Sequence, residues 1–414
     1  MKLRIEKKPG GSSDLEIPLR EPSAGAAAWP ARAGLSAAGN ARSAYGGETL
    51  SSRAARELPD GSWKLRWKSA HSSHGVPRHV LADGGRILVQ SDGWQVWDSA
   101  GAPLSKGQLG AGQVSLDSAK GLVYSIDLNG MLTASEIVGG KRRYMVLAKG
   151  GDAARFHLVL PDGDAFLLAG QQQPRGGFEQ MDPARRDAPA GTPLATLQRI
   201  VVGAEPRVGA SGLVLSPAST TLMFSVSRLV AAHNASMIVF AVPGGLFFAD
   251  QSLQITRAYT IAGTPAVISV DETGRAYLLL VSPGRRELVV ITPDGECVLS
   301  QNQAEAGEGQ ARPPVIGFDH TIFLTVGPRI LAIGQAGREL WHYDSASGSA
   351  GMLVTPAGLL LSAEGFELAQ YDPTGKRSVL FETNGERLCA APVITSAGNL
   401  LVASEKYLHF LEAA

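Results

Sequence analysis

The feature that most constrains this chain is a short turn that recurs about every 40 residues from residue 83 onward. The turns read Asp83-Gly84-Gly85, Ser118-Ala119-Lys120-Gly121, Pro161-Asp162-Gly163, Asn234-Ala235-Ser236, Glu272-Thr273-Gly274, Asp319-His320-Thr321, Pro356-Ala357-Gly358 and Ser396-Ala397-Gly398. Each is followed closely by a strand-like run, such as Ile87-Leu88-Val89, Leu122-Val123-Tyr124, Ile322-Phe323-Leu324 or Leu400-Leu401-Val402. Gly85 to Gly121 is 36 residues, Gly121 to Gly163 is 42, and Ser236 to Gly274 is 38. Gly274 to Thr321 is 47, Thr321 to Gly358 is 37, and Gly358 to Gly398 is 40. A second series keeps step: Ser99-Ala100-Gly101, Pro293-Asp294-Gly295, Gln335-Ala336-Gly337 and Pro373-Thr374-Gly375, the last three 42 and 38 residues apart. Short apolar runs between Gly, Asp, Asn and Pro read as the strands of an all-β fold. Four such strands per period of about 40 residues make one blade of a β-propeller.

Eight unit markers predict a closed propeller of eight four-stranded antiparallel blades, or seven if one marker is false. One interval breaks the period: Gly163 to Ser236 is 73 residues, with loop-like sequence from Gln171 to Thr192. An insertion near 171–227 is preferred there over an extra, degenerate blade around Leu213–Val226. The last unit, Val393 to Leu411, has room for only two or three strands, and a ring has to remove its free edges. The run Trp63–Lys68 is therefore expected to close the last blade as its outer strand. This places the propeller at 62–414 and leaves 1–61 as an N-terminal arm, expected to be flexible. Within 21–60, 12 Ala, 5 Gly and 5 Ser sustain no apolar period. Ser51 to Leu58, ahead of Pro59, is compatible with two helical turns.

Composition narrows the function. With 44% hydrophobic residues the chain can fill a large core, and with 18% charged residues it leaves little surface for charge. Lys plus Arg and Asp plus Glu are 38 each, so there is no net pull toward phosphate backbones, and nucleic acid is not an expected partner. Lys141-Arg142-Arg143 and Arg285-Arg286 fall at hairpin turns and read as solvated. Cys297 and Cys389 share no metal-like spacing and read as free buried thiols. The sequence shows no signal-peptide core and no apolar run of membrane-spanning length, so a cytoplasmic protein with no membrane contact is expected.

Pro313-Pro314-Val315-Ile316-Gly317-Phe318-Asp319-His320-Thr321-Ile322-Phe323, followed by Ile330-Leu331-Ala332-Ile333-Gly334-Gln335-Ala336-Gly337-Arg338-Glu339-Leu340-Trp341, resembles one repeat of the PQQ-like (quinoprotein-like) β-propellers. Ala391-Pro392-Val393-Ile394 and Thr264-Pro265-Ala266-Val267-Ile268 resemble further openings of the repeat, and Leu65-Arg66-Trp67 an isolated closing strand. The resemblance implies that Trp67 and Trp341 pack between neighbouring blades. Enzymes of that family carry adjacent cysteines over the quinone or a Cys-x-x-Cys-His haem site, and this chain has neither. The resemblance is thus to the non-catalytic branch, and no cofactor is expected. Some bacterial propellers of this look accompany MoxR-type AAA+ ATPases and von Willebrand factor A proteins, which is a setting by analogy of fold alone.

Three places deserve a functional reading. His71, His74 and His79 crowd the segment that leads into the first blade and are weak candidates for a metal, although their spacing fits no standard zinc arrangement. Asp127, Asn129, Glu272 and Asp319 sit in turns, where Asp and Asn are favoured for backbone reasons, so a lactonase-like centre lacks support. No Gly-x-Ser-x-Gly elbow or phosphate-binding loop occurs. The loops between second and third strands are expected on the same face as the histidines, and Trp94, Arg285, Arg286, Arg329, Phe366 and Tyr407 in them are side chains favoured in protein interfaces. The competing reading for Trp94, Phe366 and Tyr407 is packing between blades. The expected function is a non-enzymatic scaffold that binds other proteins, as a monomeric propeller within a complex. The alternative is an enzyme, or a small-ligand or metal binder, using the central funnel.

Overall fold

The computed structural model describes residues 58–59, 61–71, 75–108, 113–126, 131–147, 153–159, 165–170, 195–201, 207–215, 230–233, 237–242, 245–250, 255–261, 263–282, 285–303 and 312–414. The described residues form strands and no helix, grouped in eight four-stranded antiparallel sheets. The first strand among the described residues, β1 (Trp63–Ala70), belongs to the last blade. Blade I is β2 (His79–Asp83), β3 (Arg86–Gln90), β4 (Gly93–Asp98) and β5 (Pro103–Gln108). Blade II is β6 (Gln113–Asp117), β7 (Leu122–Ile126), β8 (Met131–Glu136) and β9 (Arg142–Leu147), and blade III is β10 (Ala153–Val159), β11 (Ala165–Gly170), β12 (Ala195–Val201) and β13 (Arg207–Leu215). Blade IV is β14 (Val230–His233), β15 (Met237–Val242), β16 (Gly245–Asp250) and β17 (Ile255–Tyr259), and blade V is β18 (Thr264–Val270), β19 (Ala276–Ser282), β20 (Arg285–Ile291) and β21 (Cys297–Gln303). Blade VI is β22 (Val315–Ile316), β23 (Ile322–Val326), β24 (Arg329–Ile333) and β25 (Glu339–Asp344), and blade VII is β26 (Gly351–Val354), β27 (Leu360–Glu364), β28 (Glu367–Tyr371) and β29 (Arg377–Glu382). Blade VIII is β30 (Val393–Ile394), β31 (Leu400–Ala403) and β32 (Tyr407–Ala413), completed by β1.

The expected all-β propeller with a borrowed closing strand is what the chain forms. β1 pairs antiparallel with β32 from Trp63 opposite Ala413 to Ala70 opposite Tyr407. Within blade III, β11 and β12 pair directly, with Gly170 opposite Ala195. The N-terminal arm up to residue 57, including Ser51 and its proposed helical turns, lies outside the described residues, as do 171–194 and 216–229. Leu58 is buried and packs in the apolar cluster between blades VII and VIII.

The core sits between blades. Middle strands are covered on both faces, so β27 is buried along its whole length, whereas the outer strand β25 is mostly exposed. Strands covered on both faces need continuous apolar runs, and half-covered ones alternate. Leu353 and Leu361 of blade VII meet Leu400 and Val402 of blade VIII, and Leu81 and Leu88 of blade I meet Val114 and Val123 of blade II. Neighbouring sheets are thus held by aliphatic contact, which is why the chain can do with so few charges.

At three seams an aromatic adds a directional contact. Trp67 on β1 donates from Nε1 to the Ser99 carbonyl of blade I at 3.1 Å and lies over Gly101, where a Cβ would come within 2.7 Å of the ring. Trp341 on β25 stacks on Tyr371 and lies over Gly375 of blade VII in the same way. The sequence reading missed Tyr259, which does this for blades IV and V: its hydroxyl donates to the Pro293 carbonyl at 2.7 Å, over Gly295. Its spacing was the available signal, since 34 to 36 residues separate each aromatic from its glycine.

The described members of the two turn series occupy one face, called here the turn face. Gly101, Gly295 and Gly375 take φ values of 86°, 82° and 87°, a left-handed backbone that glycine adopts at little cost. In blade VI the left-handed residue is His320 (φ 61°), one position before the Thr321 used to mark that unit.

Candidate interaction face

The opposite face carries the hairpins between second and third strands and the connections from each outer strand to the next inner one. The loops expected there join those strands, among them Ser91–Trp94 between β3 and β4, Gly327–Arg329 between β23 and β24, and Ser404–Tyr407 between β31 and β32. Residues 127–130, 243–244 and 283–284 of the same series lie outside the described residues. In three consecutive blades the connection is tied to the hairpin by the same backbone bond. Ser345 N donates to the Pro328 carbonyl at 3.0 Å, Thr383 N to Phe366 at 2.9 Å, and His71 N to Lys406 at 3.2 Å. The hairpins are thereby fixed by main chain, independent of side-chain identity.

The predicted interface residues fare differently. Trp94 is 4% exposed and packs with Val114 and Val123 between blades I and II, so it is corrected from a surface residue to a core one. Blade II reaches over it at this point and covers the indole. Phe366 is 47% exposed, on a hairpin whose carbonyl is held by Thr383. Tyr407 is half-buried under the Lys68 ammonium, 3.8 Å from its ring centre. Arg329 makes a two-pronged contact to Asp344, Nε to Oδ1 at 2.7 Å and Nη2 to Oδ2 at 3.1 Å, which holds the Asp344 carboxyl below the usual range. Arg285 is exposed and pairs with Glu287 at 3.1 Å, while Arg286 is half-buried beside it.

The three histidines do not act alike. His71 Nε2 is 3.0 Å from the Ser404 carbonyl, His79 is half-buried in β2, and His74 lies outside the described residues. Among the described residues no three His, Cys, Asp or Glu side chains are grouped to hold a metal ion. The thiols of Cys297 and Cys389 are free, and burial pushes that of Cys389 up to about 12, away from reactivity.

Two buried polar clusters on this face were not foreseen. Glu364, 5% exposed, accepts from the Tyr371 hydroxyl at 2.7 Å and pairs with Arg377, which also meets Glu367. Burial and Glu364 together raise the Tyr371 phenol, so it stays a neutral donor. In blade VIII, Ser404, His409 and Glu386 meet, an assortment that resembles a hydrolytic triad only by residue type. Ser404 is fully buried, and both it and Glu386 approach the same imidazole nitrogen, at 3.2 and 3.6 Å. A triad needs a third group on the other nitrogen and an exposed hydroxyl. Ser404 Oγ instead accepts from Tyr407 N at 3.1 Å and closes its own hairpin. Sequence reasoning lacked a signal for either cluster, because their members come from different strands and connections and share no spacing.

No family model matches the chain, and no curated protein matches it in sequence. Among solved structures it is similar to BamB from Moraxella catarrhalis, with a TM-score of 0.53 and 10% identity over 84% of this chain and 99% of that one. At such identity the likeness is one of fold. The chain is thus an eight-bladed β-propeller closed by its N-terminal strand, with a fold shared with BamB.

Proposed function

We propose that this chain is a non-enzymatic protein-interaction platform, a PQQ-like propeller of the non-catalytic kind, that captures its partner on the loop face. The observation that carries this reading is Phe366, a large apolar side chain left 47% exposed on a backbone-tied hairpin. Rigid aromatic anchors lose little entropy on binding and dominate interface energetics. Phe366 is flanked in the ring by Arg329 of blade VI and by Lys406 and Tyr407 of blade VIII, which supply a polar border. The setting we favour is a cytoplasmic multi-protein system of the kind that includes MoxR-type AAA+ and von Willebrand factor A proteins, with the propeller monomeric inside it.

The test is affinity capture from the native host with the full chain, comparing wild type, Phe366→Ser and Leu340→Ser. Leu340 is 53% exposed on the outer strand β25, and so controls for loss of any surface apolar group. A partner retained by wild type and Leu340→Ser and lost with Phe366→Ser supports the reading. Capture that is indifferent to Phe366, or no specific partner at all, refutes it.

A further inference from the structure

The seam between β1 and β32 differs from every other strand pair of blade VIII, because its two strands come from opposite ends of the chain. No hairpin holds them together, so separating them gains chain entropy that separating a hairpin does not. A polar cluster sits at one end of this seam. Lys68 of β1 lies opposite His409 of β32, and its Nζ donates to Glu386 Oε1 at 2.9 Å while resting on the Tyr407 ring. Ser404 Oγ lies 3.1 Å from Glu386 Oε2 and 3.2 Å from His409 Nε2, and His71 holds the Ser404 carbonyl. The rings of Phe381 and Tyr407 cover the imidazole, which is 2% exposed.

This site fits a neutral imidazole and not a charged one. Nε2–H has Ser404 Oγ as acceptor, whereas Nδ1 is buried with no hydrogen-bond partner. An imidazolium would carry a second N–H on Nδ1 with nothing to receive it, and its charge would lie beside Lys68 and His71. Glu386 is the anion that faces it, and Lys68 and Ser404 already engage both its oxygens. A proton on His409 therefore favours any state in which the ring reaches water. The least costly such state lifts β1 away.

We propose that the β1–β32 seam is an acid-released clasp, in which protonation of His409 frees β1 while the hairpin-linked strands stay paired. Burial lowers the His409 imidazole from its usual 6.5 to about 4 in the closed ring, and once β1 has left and the ring reaches water it returns toward 6.5. The released state thus binds the proton more tightly. The clasp holds fully above about 6.5 and loses its hold as pH falls from there toward 4.

Hydrogen–deuterium exchange of the full chain between pH 7.5 and 4.5, corrected for intrinsic rates, tests this. Amides of residues 63–70 should lose protection below pH 6.5, by up to about tenfold per pH unit for one linked proton, while those of β27 and β28 do not. His409→Gln keeps a donor for Ser404 without titrating and should flatten the response. Lys68→Met removes the neighbouring cation and should shrink it. If His409→Gln shows no thermal transition at pH 7.5, the Lys68→Met profile decides. Protection of 63–70 that is flat with pH overturns the clasp. So does a loss shared equally by all blades, or the wild-type response persisting in the deciding variant.

Discussion

The two faces of the ring solve the same problem, turning a chain between strands, by opposite means. On the turn face most turns cap themselves, and the bonds that leave them, such as Ser118 N to Asp83 Oδ2 at 2.8 Å, reach only the turn of the next blade. Asp98 Oδ1 accepts from the backbone of Ala100 and Ala102, Asp271 from Thr273 and Arg275, and Asp372 from Thr374 and Lys376, all at 2.8–3.0 Å. Thr292, Thr355 and Thr395 do a similar service for the residue four positions on. On the loop face the bonds run between segments far apart in sequence, as in His71 to Lys406 or Glu386 to Lys68. A turn that depends only on its own four or five residues can be copied from blade to blade. A loop that depends on its neighbours is free to differ in each, and that freedom is where a binding surface can arise.

The contrast can be broken where it is sharpest. Asp271 is 1% exposed and also receives the Tyr277 hydroxyl at 2.9 Å, so Asp271→Ala strands several buried donors and should destabilise by about 3 kcal/mol in denaturant unfolding. An effect under about 1 kcal/mol would show that the turn does not rely on its own cap. Gly375→Ala meets both a left-handed backbone and the Trp341 ring, 2.6 Å from the added carbon, and should cost about 2 kcal/mol, read as a lower Tm.

Changes on the loop face should spare stability. Phe366→Ser should alter unfolding free energy by no more than about 0.5 kcal/mol while abolishing partner capture. A large loss of stability would reassign Phe366 to packing. Smallest of all, Arg329→Ala should leave Tm unchanged, because its pair with Asp344 is exposed and exposed pairs contribute little. A salt-dependent drop in Tm would show that this hairpin leans on its charges after all.

Much of the turn face was legible in the sequence. Gly101, Gly295, Gly337 and Gly375 could be aligned by eye, because left-handed turns accept few residue types and the propeller repeats them. His320 breaks that pattern and shifted one marker by a residue. The loop face could be located but not read. Trp94 and Phe366 both follow a hairpin glycine in sequence, yet one is core and the other surface. Which of them is covered depends on whether the adjacent blade reaches over it, and that is not encoded within the hairpin.

By itself the sequence determined the period, the all-β class and the need for an outside strand to close the ring. Those are local or counting properties, fixed by turn chemistry and by the number of apolar runs in the last unit. Only the tertiary structure decided which side chains share a site. Lys68, Glu386, Ser404 and His409 span most of the chain and meet only because closing the ring brings the first strand against the last. Their chemistry, a buried neutral imidazole beside a lysine, exists in no segment until that seam is made.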